Sequence, residues 1–309
     1  AMPTARRAAA AAGLDGRLYV LGGVADGPVL ATLEVYTPAN NSWTTGAPMP
    51  TARRYPAAAA VGGVLYVLGG DTGVDRIDMG ANDALAVLEV YTPANDSWAT
   101  ASAMPSERAA PVVGVLGGAL YAVGGASGFL MTDVTEVYSP HSDSWSTAAA
   151  MPTARALAAG AVMGEVLYVV GGLRVSDMHM QVVERYAPAN YSWATVAPMP
   201  TGRSELVAMA FGTLLLVVGG SDDLFSGSVL NTLELYSTVT DTWSTAAPMP
   251  TARRLLAAAD IDGAMYAVGG ATGATSRSGA LEIFLQTWIT ELPPYECDPG
   301  AEVEDGGGS

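Results

Sequence analysis

Arginine is the residue best placed in this chain to do chemistry. All 14 positive residues are Arg, none is Lys, and 30 acids bring the net charge to −16. Arg6, Arg53, Arg108, Arg155, Arg203 and Arg253 each close a Met-Pro-x-x-Arg motif. Arg7, Arg54 and Arg254 adjoin three of them, and Arg76, Arg174 and Arg277 stand in segments of variable length. A guanidinium offers a planar fork of donors that fits carboxylate, phosphate or sulfate. The last six arginines are therefore candidate contacts to an acidic ligand or protein partner. The six repeat arginines have two readings. Each unit also holds a Glu two residues before an aromatic, at Glu34, Glu89, Glu136, Glu184, Glu234 and Glu282. One Arg and one Glu per unit could pair internally, and six unpaired guanidiniums around one axis would repel each other. These arginines are structural or binding on sequence grounds.

Other chemistries are poorly supplied. Cys297 is the single cysteine, so no intrachain disulfide or Cys-based metal site can form, and two histidines, His141 and His179, do not suggest a metal centre. No cofactor is expected. The acids among Asp71, Asp75 and Asp78 lack EF-hand spacing and read as a solvated loop. His179, between two methionines, reads as exposed and inert. The negative charge disfavours nucleic acid, and no apolar run approaches the roughly 18 residues of a membrane span.

The elements that must position the arginines repeat six times. A Gly-Gly pair begins 16 residues after each repeat Arg, at Gly22, Gly69, Gly124, Gly171, Gly219 and Gly269. An aromatic follows (Tyr36, Tyr91, Tyr138, Tyr186, Tyr236, Phe284), then a Trp (Trp43, Trp98, Trp145, Trp193, Trp243, Trp288). In the first unit, an Ala-rich strand A leads through Asp15-Gly16 to strand B at Leu18–Leu21. Strand C holds Leu33–Tyr36, and a turn at Pro38–Asn41 leads to strand D at Trp43. No helical periodicity competes. Small residues suit an innermost strand where six sheets converge, and Tyr and Trp suit the wider gaps between sheets.

Arg, Gly-Gly, aromatic and Trp at these offsets resemble the Kelch repeat, over residues 2–292. The resemblance implies an all-β, six-bladed propeller of four-stranded antiparallel blades, approximately 2–47, 48–102, 103–149, 150–197, 198–247 and 248–292. Residues 293–309 read as an acidic Pro/Gly-rich tail or linker, and no sharing of a blade between the termini is evident, so blades 1 and 6 are expected to meet by packing. In Kelch adaptors, arginines at the start of strand A grip acidic peptides. The matching positions here are the six repeat arginines. Galactose oxidase-like members need a copper site that this chain cannot supply. Sialic acid mutarotases need no metal, which leaves an alternative enzyme reading with Glu107, Glu205 and nearby arginines as acid–base and carboxylate-binding candidates.

The step from the first Gly to the aromatic is 14, 22, 14, 15, 17 and 15 residues, so length variation falls in the B–C loop. Variable loops on a rigid scaffold are where binding resides. The face carrying the B–C loops and D–A connections also holds the candidate arginines, so a protein partner is expected there. An architectural role in a larger assembly is a further alternative. Sequons at Asn40, Asn95 and Asn190 recur at one turn position, where Asn suits the backbone. They are possible glycosylation sites. Together with Cys297-Asp-Pro-Gly, they suggest an extracellular or cell-surface location, with a cytoplasmic one as alternative, possibly within a longer multidomain chain.

Overall fold

Alternating apolar residues and short Gly- or Asn-centred turns leave the backbone one economical solution, a series of antiparallel meanders. The computed structural model describes residues 1–73, 83–174, 178–223, 228–273 and 276–284. Arg76, Trp288, Cys297 and the 293–309 tail lie outside the described residues. Five sheets are four-stranded, and the sixth has three described strands. Blade 1 runs Ala10–Leu14, Arg17–Leu21, Leu33–Thr37 and Ser42–Gly46 as strands A to D. The later A strands are Ala57–Val61, Val112–Leu116, Ala159–Met163, Val207–Phe211 and Ala257–Ile261. Among the described residues, no helix is long and apolar enough to cross a membrane.

Each strand A touches the strand A of the next blade, and Ala257–Ile261 touches Ala10–Leu14, so the ring closes. The approach explains the small residues. A Cβ on Gly13 would lie 1.9 Å from the Asp260 carbonyl oxygen of the neighbouring blade. Blades 1 and 6 do more than pack. Met2 N donates to Gly279 O at 2.7 Å, Arg6 N to Ser278 O at 3.3 Å, and Gly270 N to Arg6 O at 2.9 Å. The N-terminal segment thus occupies the place that a D–A connection fills elsewhere in the ring.

Tyr and Trp form cross-strand pairs on strands C and D, as in Tyr91 opposite Trp98, with ring centroids 5.1 Å apart. Four of the Trp also staple their blade to the preceding one. Trp98 Nε1 donates to Ala47 O, Trp145 to Ser102 O, Trp193 to Ala149 O and Trp243 to Ala197 O, at 2.8–2.9 Å. Beside the staple sits a carboxylate clamp. Asp96 Oδ1 accepts from Ala47 N and Tyr91 OH, both at 2.7 Å, and Asp143 and Asp241 repeat the arrangement. These aspartates hold left-handed turns at φ 46–53°, a conformation Asp tolerates better than most residues. Blade 4 departs from the pattern, with Tyr191 at φ 50° and 75% exposed.

Candidate functional site

The repeat arginines lie inside the blades. All six are at most 1% exposed. Arg6 and Arg53 pair closely with Glu34 and Glu89. Arg108 reaches Glu136 at 2.7 Å, Arg155 Glu184 at 2.7 Å, Arg203 Glu234 at 2.6 Å and Arg253 Glu282 at 2.9 Å. In five blades the second Glu oxygen accepts from a hydroxyl, that of Thr4, Thr51, Ser106, Thr153 or Thr201. Nη1 of Arg6 donates to Gly22 O at 3.0 Å. The first glycine of each pair also lets the backbone of the next blade approach. Gly22 has φ 64°, and a Cβ there would lie 2.5 Å from Arg53 O. Burial lowers the pKa of each of these arginines against the opposing pull of its Glu, and Arg155 falls to about 10. With every guanidinium folded into a blade wall, the channel mouth is not lined by these six charges.

The residue after each repeat Arg begins a second layer. It forms a backbone bridge to the residue following Gly-Gly, as in Arg7 with Val24, Arg54 with Asp71, Ala156 with Leu173 and Arg254 with Ala271. The next residue forms a third layer around the axis. Ala8, Tyr55, Ala110, Leu157, Glu205 and Leu255 are all left-handed, at φ 51–60°. Non-glycine residues persist in this region only where their surroundings hold them. Here the restraint is a chain of five main-chain hydrogen bonds around the axis, open between Ala110 and Leu157. Tyr55 N donates to Ala8 O, Ala110 N to Tyr55 O, Glu205 N to Leu157 O, Leu255 N to Glu205 O and Ala8 N to Leu255 O, at 2.8–2.9 Å. Tyr55, Leu157 and Leu255, from alternate blades, join one apolar cluster with Ala110 and Ala126. The cluster plugs the axis at the loop face.

A charged group surrounds the plug. Arg54 Nε donates to Asp71 Oδ1 at 2.6 Å, and its guanidinium lies 5.5 Å from the Tyr55 ring centre. Arg254 Nη1 donates to Glu205 Oε2 at 3.1 Å. Burial pushes the Glu205 carboxyl up, while Arg254 and Arg7 pull it down. Burial likewise pushes the Tyr55 hydroxyl up, reinforced by Glu205 and opposed by Arg54 and Arg7. The structure thus brings together Arg7, Arg54, Arg254, Glu205, Tyr55 and Asp71. Arg7, Arg54 and Arg254 are buried rather than open to solvent, because strands from neighbouring blades crowd the axis, and acids meet the charges of Arg54 and Arg254.

The other candidates lie further out. Arg277 Nε donates to Ala25 O at 3.0 Å and lies 3.4 Å from Asp26, joining the loops of blades 6 and 1. Arg174 is half-buried on a short hairpin of blade 4, Leu173–Arg174 paired with Met178–His179. His179 is half-buried rather than exposed, because the hairpin lays it against blade 5, where Nδ1 lies 3.0 Å from Ser204 Oγ. Burial lowers its pKa, opposed by Asp222 and Asp223. Glu107 lies apart from Glu205 and accepts from Ser127 Oγ at 3.2 Å. Asn40, Asn95 and Asn190 are exposed in C–D turns on the opposite face. No cluster of three His, Cys, Asp or Glu able to hold a metal occurs among the described residues.

Phe129 and Leu130 enter the site without forewarning from the sequence. They are 66% and 79% exposed at the tip of the blade 3 hairpin, Ala126–Ser127 paired with Leu130–Met131. Two apolar residues in a loop have no periodicity to mark them. They stand on the same face as the arginine cluster.

A family model described as the KLHDC2/KLHL20/DRC7 Kelch-repeats domain matches residues 1–172, and the Kelch motif matches residues 154–200 and 202–250. No curated protein matches the chain significantly. A solved structure titled "Structure of YjhT" is similar with a TM-score of 0.79 and 17% identity, over 92% of this chain and 96% of that one. At that identity the likeness extends to the fold alone.

Proposed function

Because the chain belongs to the Kelch-repeat family, we propose that it is a non-enzymatic interaction module that engages a protein or acidic ligand through its loop face. The observation that supports this is where the sixfold pattern breaks. The buried Arg–Glu pairs are alike in every blade, as a scaffold requires. The two positions after each repeat Arg differ from blade to blade, running Arg-Ala, Arg-Tyr, Ala-Ala, Ala-Leu, Ser-Glu and Arg-Leu. The exposed Phe129 and Leu130 add an apolar anchor on an ordered hairpin, where little entropy is lost on binding. Arg54 and Arg254 act as the cationic floor beneath this surface, with Arg7 beside them.

Affinity capture from the source organism tests the reading. Phe129→Ser combined with Leu130→Ser and Arg174→Glu perturbs the loop face. Val239→Ser, on the opposite face, serves as control. A partner lost only with the triple variant supports the loop face, and a partner lost only with the control overturns it. A second reading, a metal-free sugar-acid mutarotase-like enzyme, draws on the elevated pKa of Glu205 beside Arg254. A sugar-acid ring-opening assay with Glu205→Gln distinguishes it.

A further inference from the structure

Burial sorts the charges of this protein by sign. Nine of the 14 arginines are buried, against six of the 30 acids. On the loop face Arg7, Arg54 and Arg254 are buried, and Arg174 and Arg277 are half-buried. The acids there reach solvent. Asp26, Asp83, Glu107 and Asp222 are exposed, and no arginine is, among the described residues of this face. A partner approaching the face meets carboxylates before it meets a guanidinium. Complementary charge steers association and like charge opposes it, so the rim favours a cation.

One of these acids sits beside the exposed apolar pair. In the blade 3 hairpin, Ser127 is paired directly with Leu130. Directly opposed residues of an antiparallel pair project to the same face. Ser127 Oγ donates to Glu107 Oε1 at 3.2 Å. The Glu107 carboxylate thus lies on the Leu130 side of the hairpin, one side chain away, with Phe129 next to Leu130 in the turn. No base shares this stretch, because residues 124–134 contain Asp133 and neither Arg nor Lys. Two apolar side chains rimmed by an exposed carboxylate match a ligand that joins an apolar group to a cation. The spacing adds a pattern. Alternate side chains of an extended chain lie on one face about 7 Å apart, a reach that suits Leu130 and Glu107 together.

We propose that the blade 3 hairpin binds an extended segment of a protein partner in which a large apolar residue stands two positions from a Lys or Arg. The apolar side chain packs on Phe129 and Leu130, and the cation meets Glu107. This rests on the interaction-module reading above and sets the sign of the partner's charge.

The test selects a random dodecapeptide phage library on the immobilised protein, with parallel selections on the Phe129→Ser/Leu130→Ser variant and on Val239→Ser. Peptides enriched on the wild type and on Val239→Ser, but not on the hairpin variant, are expected to carry Lys or Arg two positions from Leu, Ile, Met, Phe or Trp. A synthetic copy of the most enriched peptide, followed by fluorescence anisotropy, should bind the hairpin variant about tenfold more weakly. Glu107→Gln, which keeps an acceptor for Ser127, should weaken it about threefold. Glu107→Lys should weaken it further, and the affinity should fall as salt rises. Hairpin-dependent peptides that are acidic, or that bind Glu107→Gln as well as the wild type, overturn this proposal and leave the loop-face reading standing. Peptides lost only with Val239→Ser overturn both. Enrichment on none of the three baits overturns this proposal.

Discussion

Removing Glu184 exposes how much the scaffold depends on its internal ion pairs. Arg155 and Glu184 have side-chain exposures of 0% and 1% and meet at 2.7 Å. Glu184→Ala deletes that contact and the 2.7 Å bond from Thr153 Oγ1. It leaves the Arg155 guanidinium in the blade wall with only weak carbonyl contacts, at 3.3 Å to Val182 O and 3.4 Å to Val169 O. Breaking a buried pair from one side costs about 3–5 kcal/mol. An unfolding entropy of about 2.1 cal/mol/K per residue over the chain converts this to a fall in Tm of about 5–8 °C. The double variant Arg155→Met with Glu184→Leu removes both charges and refills the space. It should recover most of the loss, since paired replacement by apolar residues is often neutral. Differential scanning calorimetry with urea titration measures both variants. A fall below about 2 °C for the single variant, or a double variant as unstable as the single, would refute the view that a desolvated unpaired charge is the penalty.

Two more outcomes follow from the clamps between blades. Tyr191→Asp gives blade 4 the carboxylate that blades 2, 3 and 5 carry, beside Tyr186 OH and Ala149 N, and should raise Tm by a few degrees in a thermal melt. Combining it with Tyr186→Phe should remove part of the gain. The clamp aspartates Asp96, Asp143 and Asp241 are held below the usual Asp range, chiefly by the neighbouring blade's N–H and then by their Tyr hydroxyl. With the folded pKa depressed, their contribution is complete above the ordinary Asp value and lost as pH falls through the lower folded value. Tm followed from neutral to strongly acid pH should drop in that window. An Asp96→Asn, Asp143→Asn and Asp241→Asn variant, which keeps the acceptors, should show a shallower acid limb.

The fold is legible in the chain because its signals are local and repeated. Gly22-Gly23, Tyr36 and Trp43 recur at offsets that only a meander of short strands can satisfy, and each recurrence reinforces the others. The pairing of Arg6 with Glu34 is half legible. One acid and one base per unit suggest it, but the choice between pairing and binding depends on solvent access, which spacing alone does not specify. The Thr4 hydroxyl that completes the pair is a further detail of distance.

The sequence by itself determined the six blades, their scaffold residues and the face that varies. Tertiary structure decided what that face is made of. Tyr55, Leu157 and Leu255 lie far apart in the chain and look unremarkable there, yet ring closure makes them neighbours across the axis. The same closure buries Arg254 against Glu205, a pairing across 49 residues that no repeat offset encodes. Phe129 and Leu130 are apolar residues whose exposure follows from the hairpin that carries them. The physical reason is common to all three. Repetition specifies contacts that every blade shares, whereas contacts along the axis and at loop tips depend on how six different segments converge in space.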